Sequence, residues 1–219
     1  MLEKINSPSF VFNAEDTQKI VNAMIQLYPQ SETELHYETN FQLVVAVVLS
    51  AQATDVSVNL ATPALFEAFP TPEAMAEADI QEIEEKIKTI GLYRNKAKFL
   101  KNLSKQLVDK HQGIVPANRK DLEALPGVGR KTASVILTNA FDIPAFAVDT
   151  HIKRITQKFH LVSQSNNVLT IEKEMTAKLP PEMWYQAHHS ILLFGRYQCV
   201  ARNHNHDECL RLIEEQIKA

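Results

Sequence analysis

Covalent staples and flexible tethers are scarce in this chain of 219 residues. Its two cysteines, Cys199 and Cys209, cannot build a disulfide framework, so a reducing, cytoplasmic setting is the expectation. The longest apolar run in the first half, Leu43 to Leu49, is far too short to span a bilayer. The opening MLEKINSPSF lacks the basic region and apolar stretch of a secretory signal. No stretch alternates at strand length, and no period of roughly 20 to 50 residues repeats. No Gly/Ser-rich segment separates domains. Glycine itself is scarce, at five residues. A membrane span, a secreted disulfide scaffold and a repeat array are thereby disfavoured.

What is present is an ordinary globular composition, 45% hydrophobic and 22% charged, long enough to bury a sizeable core. The net charge of −3 argues mildly against a nucleic-acid partner. That average hides a segregation. Residues 1–85 hold 2 basic and 14 acidic side chains, whereas residues 86–131 hold 12 basic against 3 acidic. The remainder is balanced. A block of net charge +9 over residues 86–131 is a candidate polyanion surface, although solvated helix faces explain it equally well.

Helical signals run through nearly the whole chain. Asn13 opens a helix with apolar Ile20, Val21, Met24, Ile25 and Leu27, stopped by Pro29. Asn40 is placed to cap FQLVVAVVLSAQA, apolar around almost its whole circumference and therefore expected in the middle of a core. Asp55 opens the next helix, and Thr71-Pro72 a short one. Asp79 caps IQEIEEKIKTI, which should close at Gly91 in the left-handed manner. Asn95 is expected to cap KAKFLKNLSKQLVDKH, and RKDLEAL follows. After a turn at Asp142–Pro144, helices are expected over 149–160, 167–179 and 181–196, with a helical tail, ECLRLIEEQIKA. The fold class expected is all-α.

The most informative stretch is LEALPGVGRKTASVILTNAFDIPAFAVDTH, residues 122–151. Pro126-Gly127-Val128-Gly129 joins two helices through a tight hairpin in which glycine permits positive φ and close backbone approach. Exposed N–H groups at the start of the next helix, beside Arg130 and Lys131, would receive a phosphate. An ordinary helix–turn–helix corner accounts for the same composition. Lys131 stands against the positive end of an otherwise apolar helix, a setting suited to a nucleophilic amine or simply to a phosphate contact. Asp149 follows the apolar run AFAV. It reads as a helix N-cap or as a carboxylate able to act as a base or to stabilise a cation.

LPGVGRKTASV, followed eighteen residues after its lysine by the aspartate of AVDTHIKRI, resembles the helix-hairpin-helix and Gly/Pro-Asp motif of DNA glycosylases. Within that superfamily the chain is similar to the endonuclease III family. The resemblance extends through LSAQATDVSVNLATPALF, IKTIGLYRNKAKFL and HHSILLFGRYQC, and so covers most of the chain.

The resemblance implies a bifunctional DNA glycosylase and AP lyase that excises oxidised pyrimidines from double-stranded DNA after flipping the damaged nucleotide out of the stack. By motif position, Lys131 would attack C1′ and Asp149 would assist. Gln52 and Leu92 match residues that fill the gap left by the flipped nucleotide. Arg94 and Lys96 would meet the DNA backbone, as would Gly127, Val128, Gly129 and Arg130 of the hairpin. Glu123 matches an acidic pocket position, but balancing Arg119 or Lys120 explains it as well. His151 matches a position near the lesion. The hairpin carbonyls of Leu125 and Val128 match those that can hold a monovalent cation. The architecture implied is two helical lobes with DNA in the cleft between them. A six-helix lobe would span residues 34–143, and residues 1–33 with 144–219 would form the second. A monomer is expected.

The tail departs from the family pattern. Relatives commonly end in cysteines spaced C-x6-C-x2-C-x5-C around a four-iron, four-sulfur cluster. The same offsets from Cys199 give His206, Cys209 and Glu215. Two thiolates are too few, so no iron–sulfur cluster is expected, and the tail should be held by packing of Leu210, Leu212, Ile213 and Ile217. Cys199, His204, His206 and Cys209 make a nominal zinc set, but their C-x4-H-x-H-x2-C spacing is uncommon and crowded, which weighs against zinc. Two other activities compete with the lyase: a monofunctional glycosylase, and a non-catalytic DNA-binding module in which Lys131 only contacts phosphate. An adenine glycosylase normally lacks the lysine and carries a further C-terminal domain, which disfavours that activity.

Overall fold

The computed structural model describes residues 10–29 and 32–218, so most of the opening segment read for a leader lies outside it. Among the described residues there are twelve α-helices and no strand. Contacts divide the chain into two compact units, Glu34–Ile143 and a second made of Met1–Thr33 with Pro144–Ala219.

The continuous unit is organised around α2 (Asn40–Ser50). Every residue from Phe41 to Leu49 in it is buried, as its unbroken apolar circumference requires. Its one buried amide, Gln42, accepts a hydrogen bond from the Glu38 backbone N–H at 2.8 Å. Around α2 pack α3 (Asp55–Ala68), α6 (Tyr93–His111) and α8 (Arg130–Phe141), while α4 (Pro72–Glu77) and α5 (Ile80–Ile87) lie against α6. The short α7 (Arg119–Glu123) leads into the hairpin and packs on α8.

Several helix starts fall slightly away from the sequence expectation, each for a local reason. Thr39 caps α2 in place of Asn40, and Thr54 caps α3 in place of Asp55, each hydroxyl accepting an N–H at 3.2 Å. An earlier threonine offers the same cap, and the residue behind it becomes the first helical position. Asn95 is not a cap: α6 begins two residues before it, with the Leu92 carbonyl accepting from the N–H groups of both Asn95 and Lys96. Nor does Gly91 take the left-handed conformation. Leu92 does, at φ 62°.

The second unit collects α1 (Ala14–Leu27), α9 (Thr150–Lys158), α10 (Val168–Lys178), α11 (Trp184–Leu193) and α12 (His206–Lys218). α1 packs against α10, α11 and α12 around a core that includes Phe12, Met24, Phe146, Phe159, Phe194 and Ile213. The last sequence-expected helix before the tail is broken into three parts. A 3₁₀ turn at Pro181–Met183 precedes α11, and a π-helical turn at Phe194–Gln198 follows it. The π turn closes with the Cys199 N–H donating to Phe194 O at 2.7 Å.

Candidate functional site

The hairpin between α7 and α8 is shaped by one glycine. Gly127 has φ +81°, and a Cβ there would lie 3.1 Å from both Phe99 Cβ and Val48 Cγ1. Both the handedness and the lack of space exclude a side chain. Gly129 is different: it is extended, at φ −91° and ψ 179°, serves as the N-cap of α8, and has nothing within 4 Å of a built Cβ. Leu125 and Val128 are buried and anchor the loop, with the Val128 N–H donating to Leu125 O at 3.0 Å. That bond uses part of a carbonyl expected at the cation position.

Since Gly129 has no side chain to cap α8, its first N–H groups take no side-chain acceptor from the N-cap. They form the donor cluster an anion needs. Arg130 and Lys131 are the first two residues of α8, and both side chains are exposed. Glu123, exposed on α7, pairs with Arg119 at 3.4 Å and with Arg130 at 3.8 Å. The carboxylate therefore links the two sides of the hairpin through their arginines.

Gln52 and Leu92 share an unusual geometry. Both are non-glycine residues in the left-handed region, at φ 55° and 62°, a conformation that costs about 1 kcal/mol or more in an L-residue. Both are exposed, and Leu92 keeps 57% of its surface in solvent. An apolar side chain held outward on strained backbone at a helix junction gains nothing from the core. Beside it Arg94 is exposed and stacks over Tyr93, 4.9 Å from the ring centre.

Lys96 corrects the sequence expectation of a backbone contact. It is 3% exposed, and its ammonium donates to Leu49 O at 2.8 Å. That carbonyl belongs to the last turn of α2, where no later N–H completes the ladder, so Lys96 acts as the missing cap. Burial holds its pKa below the ordinary lysine value. Lys101 is similarly occupied, donating to Ala78 O at 2.7 Å, and Lys88 pairs with Glu85. The positive charge that the basic block leaves uncommitted is thus smaller than its count of lysines and arginines suggests.

In the second unit Asp149 is the N-cap of α9, its Oδ1 accepting from the Ile152 N–H at 2.7 Å. The side chain is partly buried, following the buried run Ala145–Ala147. His151, in the first turn of α9, has a buried Nδ1 with no hydrogen-bond partner among the described residues.

Two residues that no sequence motif assigned to the site, Arg154 and Gly195, organise the turn into the tail. Arg154 donates to the carbonyls of Gly195 and Cys199. Gly195 has no room for a side chain, because a Cβ would come within 2.9 Å of Ile155 Cγ1. A glycine left without a role in so glycine-poor a chain was the available signal.

The Cys199–Cys209 segment brings four ligand-type side chains together. Cys199 Sγ lies 3.5 Å from His204 Nε2 and 3.9 Å from His206 Nδ1. One ligand atom from each of Cys199, His204, His206 and Cys209 falls within 4.8 Å of the others. Burial pushes the Cys209 thiol up to about 12, and Cys199 beside it adds to the rise. Burial also lowers His206 to about 4, aided by Lys158. Glu215, at the fourth family offset, instead pairs with Arg211 at 2.8 Å on the exposed face of α12. A cluster of four cysteines does not fit this donor set. The tail itself is seated by Ile213 in the core, with Leu210 and Ile217 against it.

Among known proteins, residues 45–181 match the family described as HhH-GPD superfamily base excision DNA repair protein. The chain is 41% identical over 199 residues to endonuclease III of Bacillus subtilis (strain 168), covering 91% of each. It is 43% identical over 192 residues to endonuclease III of Escherichia coli (strain K12), covering 88% of this chain and 90% of the relative. A solved structure of a trapped endonuclease III–DNA covalent intermediate is 40% identical and superposes with a TM-score of 0.88 over 95% of this chain and 99% of that one. Extended likeness in sequence and fold, with the glycine-shaped hairpin in front of Lys131, establishes that the chain belongs to the endonuclease III family of the HhH-GPD superfamily of base-excision DNA repair proteins.

Proposed function

We propose that the chain is a bifunctional DNA glycosylase and AP lyase that removes oxidised pyrimidines from double-stranded DNA, acting as a monomer. The observation that carries this reading is Lys131, exposed in the first turn of α8 directly behind the hairpin, in a chain of the endonuclease III family. An exposed amine can reach a sugar carbon without disturbing the fold. That a relative has been trapped as a covalent intermediate on DNA supports an enzyme nucleophile in this one.

The Lys131 amine attacks C1′ of the flipped nucleotide, the glycosidic bond breaks, and the base leaves with its electron pair and takes up a proton. The nitrogen lone pair then opens the sugar ring: the C1′–O4′ bond breaks and O4′ takes up a proton. The protonated Schiff base so formed makes the C2′ proton acidic, and removal of that proton expels the 3′ phosphate in β-elimination. Asp149 assists by accepting the amine's proton or by stabilising positive charge on the sugar. Gln52 and Leu92 occupy the space the nucleotide vacates, which offsets part of the few kcal/mol that unstacking costs. The N–H groups opening α8, with Gly127, Val128, Gly129, Arg130 and Arg94, hold phosphates. Glu123 and His151 border the lesion.

Borohydride reduction tests the reading. Wild-type protein should become covalently joined to a thymine-glycol or abasic duplex, and Lys131→Ala should not. Equal trapping by the variant would move the nucleophile elsewhere. Absence of trapping by wild type would leave a monofunctional glycosylase or a binding module.

A further inference from the structure

We propose that Cys199, His204, His206 and Cys209 form a structural zinc site at the foot of the C-terminal helix. The inference does not depend on the DNA chemistry.

Geometry carries it. Zinc with Zn–S near 2.3 Å and Zn–N near 2.05 Å fixes tetrahedral edges of about 3.6 Å between sulfur and nitrogen and about 3.8 Å between sulfurs. Cys199 Sγ stands 3.5 Å from His204 Nε2 and 3.9 Å from His206 Nδ1, already at that spacing. With all four ligand atoms within 4.8 Å of one another, closing the tetrahedron takes movements of about an ångström or less. The crowding that the sequence spacing suggests is therefore relieved by the fold. Cys199 leaves the π turn while Cys209 returns on the first turns of α12, and the two histidines lie between them.

Charge and burial agree with zinc. The sulfurs belong to residues with 0% and 1% exposure, and the histidines, half-buried, close the outer side. Zinc with two thiolates and two neutral imidazoles carries no net charge, which suits a buried site, whereas two unligated thiols there gain little. The mixed thiolate and imidazole set excludes calcium and magnesium, which take oxygen ligands, and supplies too few thiolates for a four-iron cluster.

Lys158 is the competitor. Its Nζ is 2.9 Å from His204 Nε2, so it occupies the lone pair that zinc would use. A cavity of about 620 Å³ lined by Lys153, Lys158 and His206, among others, adjoins it. The cavity gives the displaced ammonium a place to go and the ion a way in. Around the ligands, the Phe159 ring packs edge-on against His206 at 5.4 Å, and Arg154 holds the Cys199 carbonyl. These contacts fix ligand directions as an outer shell does.

Metal analysis of untagged protein, expressed with zinc and iron both supplied and purified without chelator, tests the site. The expected result is one zinc per chain, little iron, and no labile sulfide. His204→Gln, which alters a half-exposed ligand and should remain folded by circular dichroism, is expected to lose at least nine-tenths of the zinc, as is Cys209→Ser. Lys131→Ala keeps it, which separates this test from that of the lyase. Cobalt in place of zinc should show a thiolate-to-metal absorption band that Cys209→Ser removes. Removing the zinc should accelerate amide exchange across residues 199–218. A wild-type protein without zinc, one holding iron with sulfide, an intact mass two hydrogens light from a Cys199–Cys209 disulfide, or variants that retain zinc would each overturn the proposal.

Discussion

At the hairpin, residues 122–131, charged groups face solvent and the backbone does the shaping. Gly127 is pressed between Phe99 and Val48, whereas Arg130 and Lys131 project outward. At the Cys199–Cys209 turn the arrangement is reversed, with sulfurs buried and facing one another and side chains holding the backbone in place. In the first region the exposed Lys131 side chain stands outside the frame made by Gly127, Leu125 and Val128, and the loop tolerates little change of backbone. In the second, the side chains are themselves the support. A group that must meet a large external partner has to be accessible, so its position is set from behind.

The largest effect should come from separating these two roles at the hairpin. Lys131→Ala is expected to lower incision of a thymine-glycol duplex by about 1000-fold or more, the scale of losing a covalent nucleophile. Its unfolding free energy should stay within about 0.5 kcal/mol of wild type, as for an exposed side chain. Urea denaturation beside a gel-based incision assay checks both. Substantial destabilisation would mean that the lysine supports the hairpin, and the contrast between the regions would fail.

Two glycines two residues apart sharpen the contrast. Gly127→Ala forces a Cβ into 3.1 Å contacts at φ +81° and should cost about 1–3 kcal/mol. Gly129→Ala, extended with open space around it, should cost less than about 0.5 kcal/mol. Equal losses in denaturant would show that packing against Phe99 and Val48 does not set the loop.

Much of this was legible in the sequence, and the reasons differ by feature. The all-α fold follows from helical periodicity and from α2's continuous apolar face. LPGVGRK signalled the hairpin because its glycines and basic residues are adjacent in the chain. The occupation of Lys96 was not legible, since the orphan carbonyl of Leu49 that it caps lies 47 positions away. The approach of two cysteines and two histidines was obscured for a related reason. Spacing alone does not show that a π turn and a helix fold the segment back on itself. Likewise the left-handed backbone at Gln52 and Leu92 violates residue preference, and only the structure displays it.

Acid should weaken the second unit through a residue outside the proposed chemistry. His189 is buried on α11 beside His188, its Nε2 has no partner among the described residues, and burial lowers its pKa to about 3. The unfolded chain takes up a proton near pH 6.5 that the folded chain refuses until about pH 3. Stability from this group is therefore complete above pH 6.5 and is lost as the pH falls through that window. Between pH 6 and pH 5 the loss should be about 1 kcal/mol. His189→Asn should make the slope of unfolding free energy against pH shallower by that amount. An unchanged slope would assign the acid sensitivity to other groups, such as His206, also lowered by burial.

The smallest effects should come from two cations two residues apart on α6 that face opposite environments. Arg94 is exposed beside Leu92, whereas Lys96 is spent on Leu49 O. If phosphate contact requires exposure, Arg94→Ala should reduce the slope of log affinity against log salt by about 0.9, the value for one contact on duplex DNA. Lys96→Met should leave that slope unchanged, because its charge is not at the surface. It should instead lower stability by about 1 kcal/mol, because the last turn of α2 loses its cap. Relief from burying an ammonium offsets part of that loss. Salt titrations of binding and urea denaturation of both variants distinguish the roles. A reduced salt slope for Lys96→Met would mean that the lysine leaves Leu49 on binding and that α2 gives up its cap to DNA.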